Sequence, residues 1–244
     1  MQYINQEELI FMQNTVDEYF EFINLKENDT VIDVGANIGV FSKRCRELNA
    51  GKIFAFEPVK PIYNICKHNI GSFATIENVG LSRVKGKKSY RYYGNNTMFS
   101  TSYPFDNIDM FMHSFCKQKS EIINDDYYFT KFKDYESNVT TLDNIIDKYQ
   151  LETIDILKID VVKAELDIIE SIESWDKIKN LIIKVYSDDN KDKIMKLLCQ
   201  NGFEIRENRA SIFKKPIKYF QKPCIISAKR PRISGRFTIL DWKD

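Results

Sequence analysis

The chain has 244 residues, 43% hydrophobic and 29% charged, and its 36 basic and 35 acidic side chains leave a formal net charge of +1. That length suffices for a substantial core in one large domain or two small ones, and the balanced charge removes any global electrostatic case for nucleic acid or an anionic membrane surface. No apolar run reaches the roughly 18–20 residues that span a bilayer, and the N-terminus lacks a basic-then-apolar leader, so a cytoplasmic protein is expected.

The five cysteines (Cys45, Cys66, Cys116, Cys199, Cys224) are scattered without a C-x-x-C pair, which reads as reduced thiols and neither a disulfide frame nor a zinc site. His68 and His113 are the only histidines, too few for a histidine-rich metal centre.

Residues 7–24 carry apolar side chains at helical spacing and close at Asn28-Asp29, giving an N-terminal helical segment over 1–28. Three short apolar runs then alternate with amphipathic stretches: strand 30–35, helix 40–48, strand 52–58, helix 61–70 with Pro61 in its first turn, and a third strand over 73–82. Alternation of this kind implies parallel strands with helices on both faces of the sheet. The rhythm breaks over 83–139. There, "KKSYRYYG" (87–94) alternates like a hairpin strand, and 95–138 runs long, polar and aromatic, as a lid or acceptor-binding insertion does. Its tyrosines and phenylalanines read equally well as a stacking platform for a sugar ring, a satellite core or a dimer surface. After it come helix 140–149 capped by a threonine, strand 154–160, helix 164–172, strand 180–187 and helix 192–202 stopped by Gly202. "FEIRE", "SIFKK" and "CIISAKR" read as closing strands, and the absence of a linker or repeat points to one domain over 1–244.

The most informative stretch is "VIDVGANIGVFS" (31–42), an apolar strand that ends in an acid and a glycine turn. Ligands of open parallel sheets sit at the carboxyl ends of the strands. A dinucleotide site places G-x-G-x-x-G here, but the middle position is Asn37, and Asp33 would repel a pyrophosphate. A cationic ligand without phosphate fits better, and S-adenosylmethionine (SAM) is such a ligand. Glu57, at the end of the second strand, suits the two ribose hydroxyls. A nicotinamide-dependent oxidoreductase is the weaker alternative, and a glycine turn needed only for packing is the bland one. Nucleic-acid methylation would rest on the basic run "KRPRISGR" (229–236), which a solvated tail explains more simply.

With "FAFEPVKPIYNICKHNI", "NVGLS", "TTLDNII" and "LKIDVVKAELDII" following in order, the sequence resembles the FkbM-type SAM-dependent methyltransferases over about residues 28–190. The resemblance implies an α/β, Rossmann-like class I methyltransferase fold, with a mostly parallel seven-stranded central sheet, helices on both faces and an inserted hairpin or lid. It implies SAM as cofactor and O-methylation of a sugar or sugar-bearing metabolite as activity. Carried over residue by residue, it implies that Asp33, Gly35, Asn37 and Gly39 line the methionine end of SAM. Glu57 would take the ribose, and Asn78, Gly80 and Ser82 would border the adenine. Asp160 would face the transferred methyl, as base or acceptor-orienting group. Its plainer reading is a helix N-cap.

Glu165, one turn on, is a second catalytic candidate, and His113 in the insertion a third. A metal through Asp160 and a neighbouring acid is compatible with the spacing, but nothing demands one. The chain departs from the family where D-V-E-G-A-E becomes "DVVKAE", putting Val162 and Lys163 for Glu and Gly, and where E-V-H becomes Lys184, Val185 and Tyr186. Lys163, Lys184 and Tyr186 thereby become substrate-binding candidates. The lysines suit an anionic acceptor, such as a phosphorylated or nucleotide-linked sugar. The rival readings are a degenerate SAM-binding accessory protein of glycan or natural-product assembly, and lysines that merely face solvent. Partners expected are a small-molecule acceptor and a second copy in a homodimer, without nucleic acid.

Overall fold

The computed structural model describes residues 1–94, 97–102, 132–209 and 224–231. Helix α1 (Gln6–Phe20) starts where the Asn5 side chain accepts from the Glu8 amide at 2.7 Å, satisfying one of the orphan donors of a first turn. Strand β1 (Thr30–Val34) leads through the glycine turn into α2 (Val40–Glu47), and β2 (Lys52–Phe56) into α3 (Lys60–Ile70), which carries Pro61 in its first turn.

The single strand expected over 73–82 is two. β3 (Thr75–Glu77) pairs with β2, whereas β4 (Gly80–Leu81) leaves for a second sheet. The cause lies between them: Asn78 Nδ2 donates to the carbonyls of Glu57 and Pro58 at 2.9 and 2.8 Å. A side chain thus takes the place of a ladder bond, and the chain turns away.

β5 (Gly86–Tyr93) and β6 (Phe132–Thr140) form an antiparallel pair, with β6 between β5 and β4. β6 lies largely inside the stretch expected to be irregular. Its "FKDYESNVT" is too charged to announce a strand, but across the pair Arg91 meets Asp134 at 3.1 Å and Lys87 meets Glu136 at 2.6 Å, and opposite charges facing each other stabilise such a ribbon. A short 3-10 turn, Thr97–Phe99, follows β5. The rest of the insertion, and the "SIFKK" strand, lie outside the described residues.

α4 (Leu142–Lys148) is capped by Thr141, whose hydroxyl accepts from the Asn144 amide at 3.2 Å. Next come β7 (Ile156–Ile159), α5 (Glu165–Ile169), β8 (Asn180–Val185), α6 (Asp188–Gln200), β9 (Glu204–Arg209) and β10 (Cys224–Lys229). The large sheet runs β3-β2-β1-β7-β8-β10-β9, parallel except for β10, which is antiparallel to both neighbours. Strand order reverses between β1 and β7, and a crevice opens there at the carboxyl ends.

The two faces of the sheet are packed differently. Ile32, Val34, Leu157, Ile159, Leu181 and Ile183 meet α4, α5 and α6, while Val31, Ile156 and Ile182 meet α1, α2 and α3. Strand side chains alternate, so Asp33, Lys158, Asp160 and Lys184 all fall on the second face, under α1 and α2. Among the described residues no helix is long and apolar enough to cross a membrane.

Candidate active site

At the switch point lies a cleft of about 1000 Å³ counted to its open mouth, floored by the ends of β1, β2, β7 and β8 and roofed by α1 and residues 97–102. The glycine turn forms one wall. Gly35 holds φ +74°, and a Cβ there would collide with the Asp160 carbonyl oxygen. The residue is therefore glycine so that β1 and the loop after β7 can touch. Gly39 holds φ +89°, and its added Cβ would stand 2.9 Å from Ile70 Cγ2, so it serves the packing of α2 on α3. Asn37, at φ +50°, lines the cleft, with its Oδ1 accepting from the Ile38 amide at 2.7 Å.

Asp33 sits below the cleft and is fully buried. Its Oδ1 receives Lys158 Nζ at 2.9 Å and its Oδ2 the Ser42 hydroxyl at 2.7 Å. The acid at the end of the first strand thus holds the floor together and does not itself line the cavity. Lys158 also donates to the Gly35 carbonyl at 2.7 Å. Burial works against its charge, but Asp33 and then Asp160 outweigh it and hold the ammonium above its ordinary pKa.

Glu57 is buried against the opposite side of the turn, accepting from the Asn37 amide at 3.0 Å and the Val59 amide at 2.9 Å. Burial pushes its pKa up to about 7, against the pull of those two amides. Each oxygen keeps a lone pair, and the residue lines the cleft, as a ribose diol would require. Gly80 and Leu81 line the same end, while Asn78 braces the Glu57–Pro58 carbonyls and Ser82 is buried with its amide on the Thr140 carbonyl at 2.8 Å. The cofactor-side candidates therefore divide. Gly35, Asn37, Glu57 and Gly80 face the cavity, and Asp33, Gly39, Asn78 and Ser82 support it.

The other end is built around Asp160. Tyr19 of α1 donates its hydroxyl to Oδ2 at 2.7 Å and Tyr186 donates to Oδ1 at 3.2 Å. Burial works to raise the Asp160 pKa, but Lys184, Lys158 and the two phenols together hold it below the ordinary carboxylate value. Both phenols are pushed well above their usual range by burial and by Asp160, and so stay protonated donors. Lys184 lines the cleft with only 6% of its surface exposed, its Nζ 5.4 Å from the Tyr186 ring centre and 6.0 Å from that of Phe11. The solvent reading does not apply to Lys184.

Lys163 is placed differently. It holds φ +68° and lies outside the cleft lining. A left-handed residue here accounts for the glycine that the family resemblance expects at this position. Its amide donates to Glu165 Oε1 at 3.1 Å. Glu165 is fully buried beside the cleft wall formed by Ala164, with Oε2 lacking a partner among the described residues, and burial pushes its pKa up to about 8. His113 lies outside the described residues.

Tyr19, Lys158 and the α1 face that carries Met12, Thr15 and Val16 into the cleft escaped sequence reasoning. Lys158 had a signal, a lysine inside an otherwise apolar strand. Among the described residues no group of three or more acidic, histidine or cysteine side chains is placed to hold a metal.

An open parallel sheet with one antiparallel strand, a glycine turn over a switch-point cleft and a cleft-lining acid, Glu57, at the end of the second strand define a class I, Rossmann-like SAM-dependent methyltransferase. Glu57 with its spare lone pairs and the cavity-facing Asn37 fit that cofactor. The model of the FkbM methyltransferase domain matches residues 33–205, and the chain belongs to that family. Methyltransferase sdnD of Sordaria araneosa is 27% identical over 220 residues, 83% of this chain and 84% of that one. The 31-O-demethyl-FK506 methyltransferase FkbM of Streptomyces tacrolimicus is 23% identical over 219 residues, 78% of each chain. In fold, the chain is similar to magnesium protoporphyrin IX methyltransferase (ChlM) from Synechocystis PCC 6803 with bound SAM, with a TM-score of 0.50 and 13% identity across 95% of this chain and 85% of that chain.

Proposed function

We propose that the protein transfers the methyl group of SAM to a hydroxyl oxygen of a sugar or sugar-bearing metabolite, and that this acceptor carries an anionic group received by Lys184. The observation that carries the reading is the buried Lys184 ammonium at the cleft wall, beside the Asp160–Tyr186 hydrogen bond. Asp160 supplies one counter-charge, and an anionic group entering the cleft would add a second to a cation kept out of water. The O-methyl chemistry printed in the name of the Streptomyces relative supports transfer to oxygen.

When bound, the cofactor supplies an electrophilic methyl on a sulfonium that leaves as a neutral thioether. The work of this chain is alignment, which supplies much of the acceleration in such displacements. Asp160, locked by two phenols and kept ionised by two lysines, serves as a fixed acceptor for the hydroxyl proton of the substrate and orients the oxygen lone pair. Its depressed pKa makes it an orienting group more than a strong base.

The test is S-adenosylhomocysteine formation with a panel of nucleotide-linked, phosphorylated and neutral sugars. The reading expects turnover with an anionic member, and expects Lys184→Glu to weaken that acceptor more than a neutral one, by about tenfold or more. Equal losses on both would remove Lys184 from acceptor recognition. SAM binding with no turnover on any acceptor would favour an accessory role.

A further inference from the structure

Above the glycine turn, the cofactor-side Asn37 is joined to Thr97 and Glu8, two polar side chains that the cofactor and acceptor assignments leave unused. Asn37 Oδ1 accepts from the Ile38 amide at 2.7 Å and lies 3.0 Å from Thr97 Oγ1. Thr97 Oγ1 lies 2.8 Å from Glu8 Oε1, which also accepts from the Met98 amide at 3.0 Å. The Ile38 contact identifies the Asn37 atom as the oxygen, because an amide nitrogen there would set donor against donor. A threonine hydroxyl owns one proton. If that proton goes to Glu8, the Asn37 oxygen is left facing another oxygen at 3.0 Å. Both contacts are hydrogen bonds at once when Glu8 is a carboxylic acid, donating to Thr97, which donates to Asn37.

The surroundings agree. Glu8 is 7% exposed, and among the described residues no lysine or arginine pairs with it. A titratable neighbour is the Tyr92 phenol of β5, and burial raises the Glu8 pKa despite the backbone amide donors of Thr97 and Met98. The consequence falls on Asn37. With its oxygen pinned from two sides, both N–H donors of its amide have no partner among the described residues, and the residue lines the cleft.

We propose that Glu8 and Thr97 are positioning residues, which hold the Asn37 amide with its donors offered to the carboxylate of the amino-acid end of SAM. The proposal rests on the cleft being the SAM site and adds α1, outside the span matched by the family model, to its machinery. Thr97 acts through Asn37, and Glu8 acts through Thr97 as a neutral donor and not as a counter-charge.

The test is calorimetric titration with S-adenosylhomocysteine and with 5′-methylthioadenosine, which keeps the nucleoside thioether and lacks the amino-acid end. Thr97→Val is expected to weaken S-adenosylhomocysteine by roughly five- to tenfold and to leave methylthioadenosine within about twofold. Glu8→Met, which removes the donor to Thr97, should follow Thr97→Val. Should Thr97→Val fail to fold, Glu8→Met carries the same reading. The proposal is overturned if Thr97→Val binds normally, if methylthioadenosine falls in parallel, or if Glu8→Met leaves S-adenosylhomocysteine affinity unchanged. Wild-type protein that binds neither ligand would overturn the cofactor assignment itself, and this inference with it.

Discussion

Lys158 Nζ stands 2.9 Å from Asp33 Oδ1 and 2.7 Å from the Gly35 carbonyl, so one buried ammonium ties β7 to β1 directly beneath the glycine turn. The pair is nearly inaccessible, with side-chain exposures of 5% and 0%. An ion pair of this kind adds little net stability over an apolar pair, but removing one partner strands a charge.

Lys158→Met should therefore destabilise the protein by about 3–5 kcal/mol, and the double variant Lys158→Met with Asp33→Asn should regain part of that loss. Urea denaturation of the two variants and the wild type measures both. A single variant as stable as wild type would show that Asp33 finds its compensation elsewhere.

Gly35→Ala should cost at least about 2 kcal/mol and abolish S-adenosylhomocysteine binding, because a Cβ at φ +74° meets the Asp160 carbonyl. Gly86→Ala is the matched control, since nothing lies within 4 Å of the added carbon. Thermal melts and ligand titrations on the pair should separate cleanly, and similar behaviour of the two would remove the steric explanation.

Glu165 makes stability fall with pH. Its folded pKa of about 8 exceeds the 4.5 of an ordinary glutamate, so the folded chain holds a proton that the unfolded chain has released. The associated stability is fully present below about pH 4.5 and is lost as pH rises through about 8. Glu57 adds a parallel decline that ends near pH 7. Glu165→Gln should flatten the melting-temperature profile between pH 5 and 9, a relative gain on the order of 1–3 kcal/mol at the alkaline end. Wild-type and variant profiles that run parallel would count against a buried neutral acid.

Tyr186→Phe and Tyr19→Phe each remove one donor from Asp160. The Asp160 pKa should rise in both, moving the acidic limb of the activity profile to higher pH and lowering turnover by roughly tenfold. Tyr19→Phe should do more, since its bond is shorter, 2.7 Å against 3.2 Å. An unmoved acidic limb with either variant would mean that Asp160 titration does not govern the rate.

Much of the fold was legible because it is written in local periodicity. β1, α2, β2, α3, β7, β8 and α6 fall where apolar spacing put them, to within a few residues. Two strand features were not legible, for physical reasons. The break at Asn78 depends on carbonyls of Glu57 and Pro58, some twenty positions away. The charged strand β6 is stabilised by partners on β5 that no window of its own sequence contains. Strand alternation also carried more than a reading of fully buried strands allows. In "LKID" and "IKVY" the polar positions are every second residue, and they share the sheet face beneath α1.

By itself, the sequence determined the α/β order, the glycine turn, Glu57 at the second strand end and the family, because each is set by short-range spacing or by a motif within one turn. The tertiary structure decided which residues of those motifs do which work. It buried Asp33 under Lys158, turned Lys163 out of the cleft and kept Lys184 in it, and brought Tyr19 of α1 to Asp160 and Glu8 of α1 to Thr97, partners far away in the chain. Hydrogen-bond partnership and desolvation depend on what folding sets alongside a side chain, and neighbours so distant along the chain leave no trace in its local pattern.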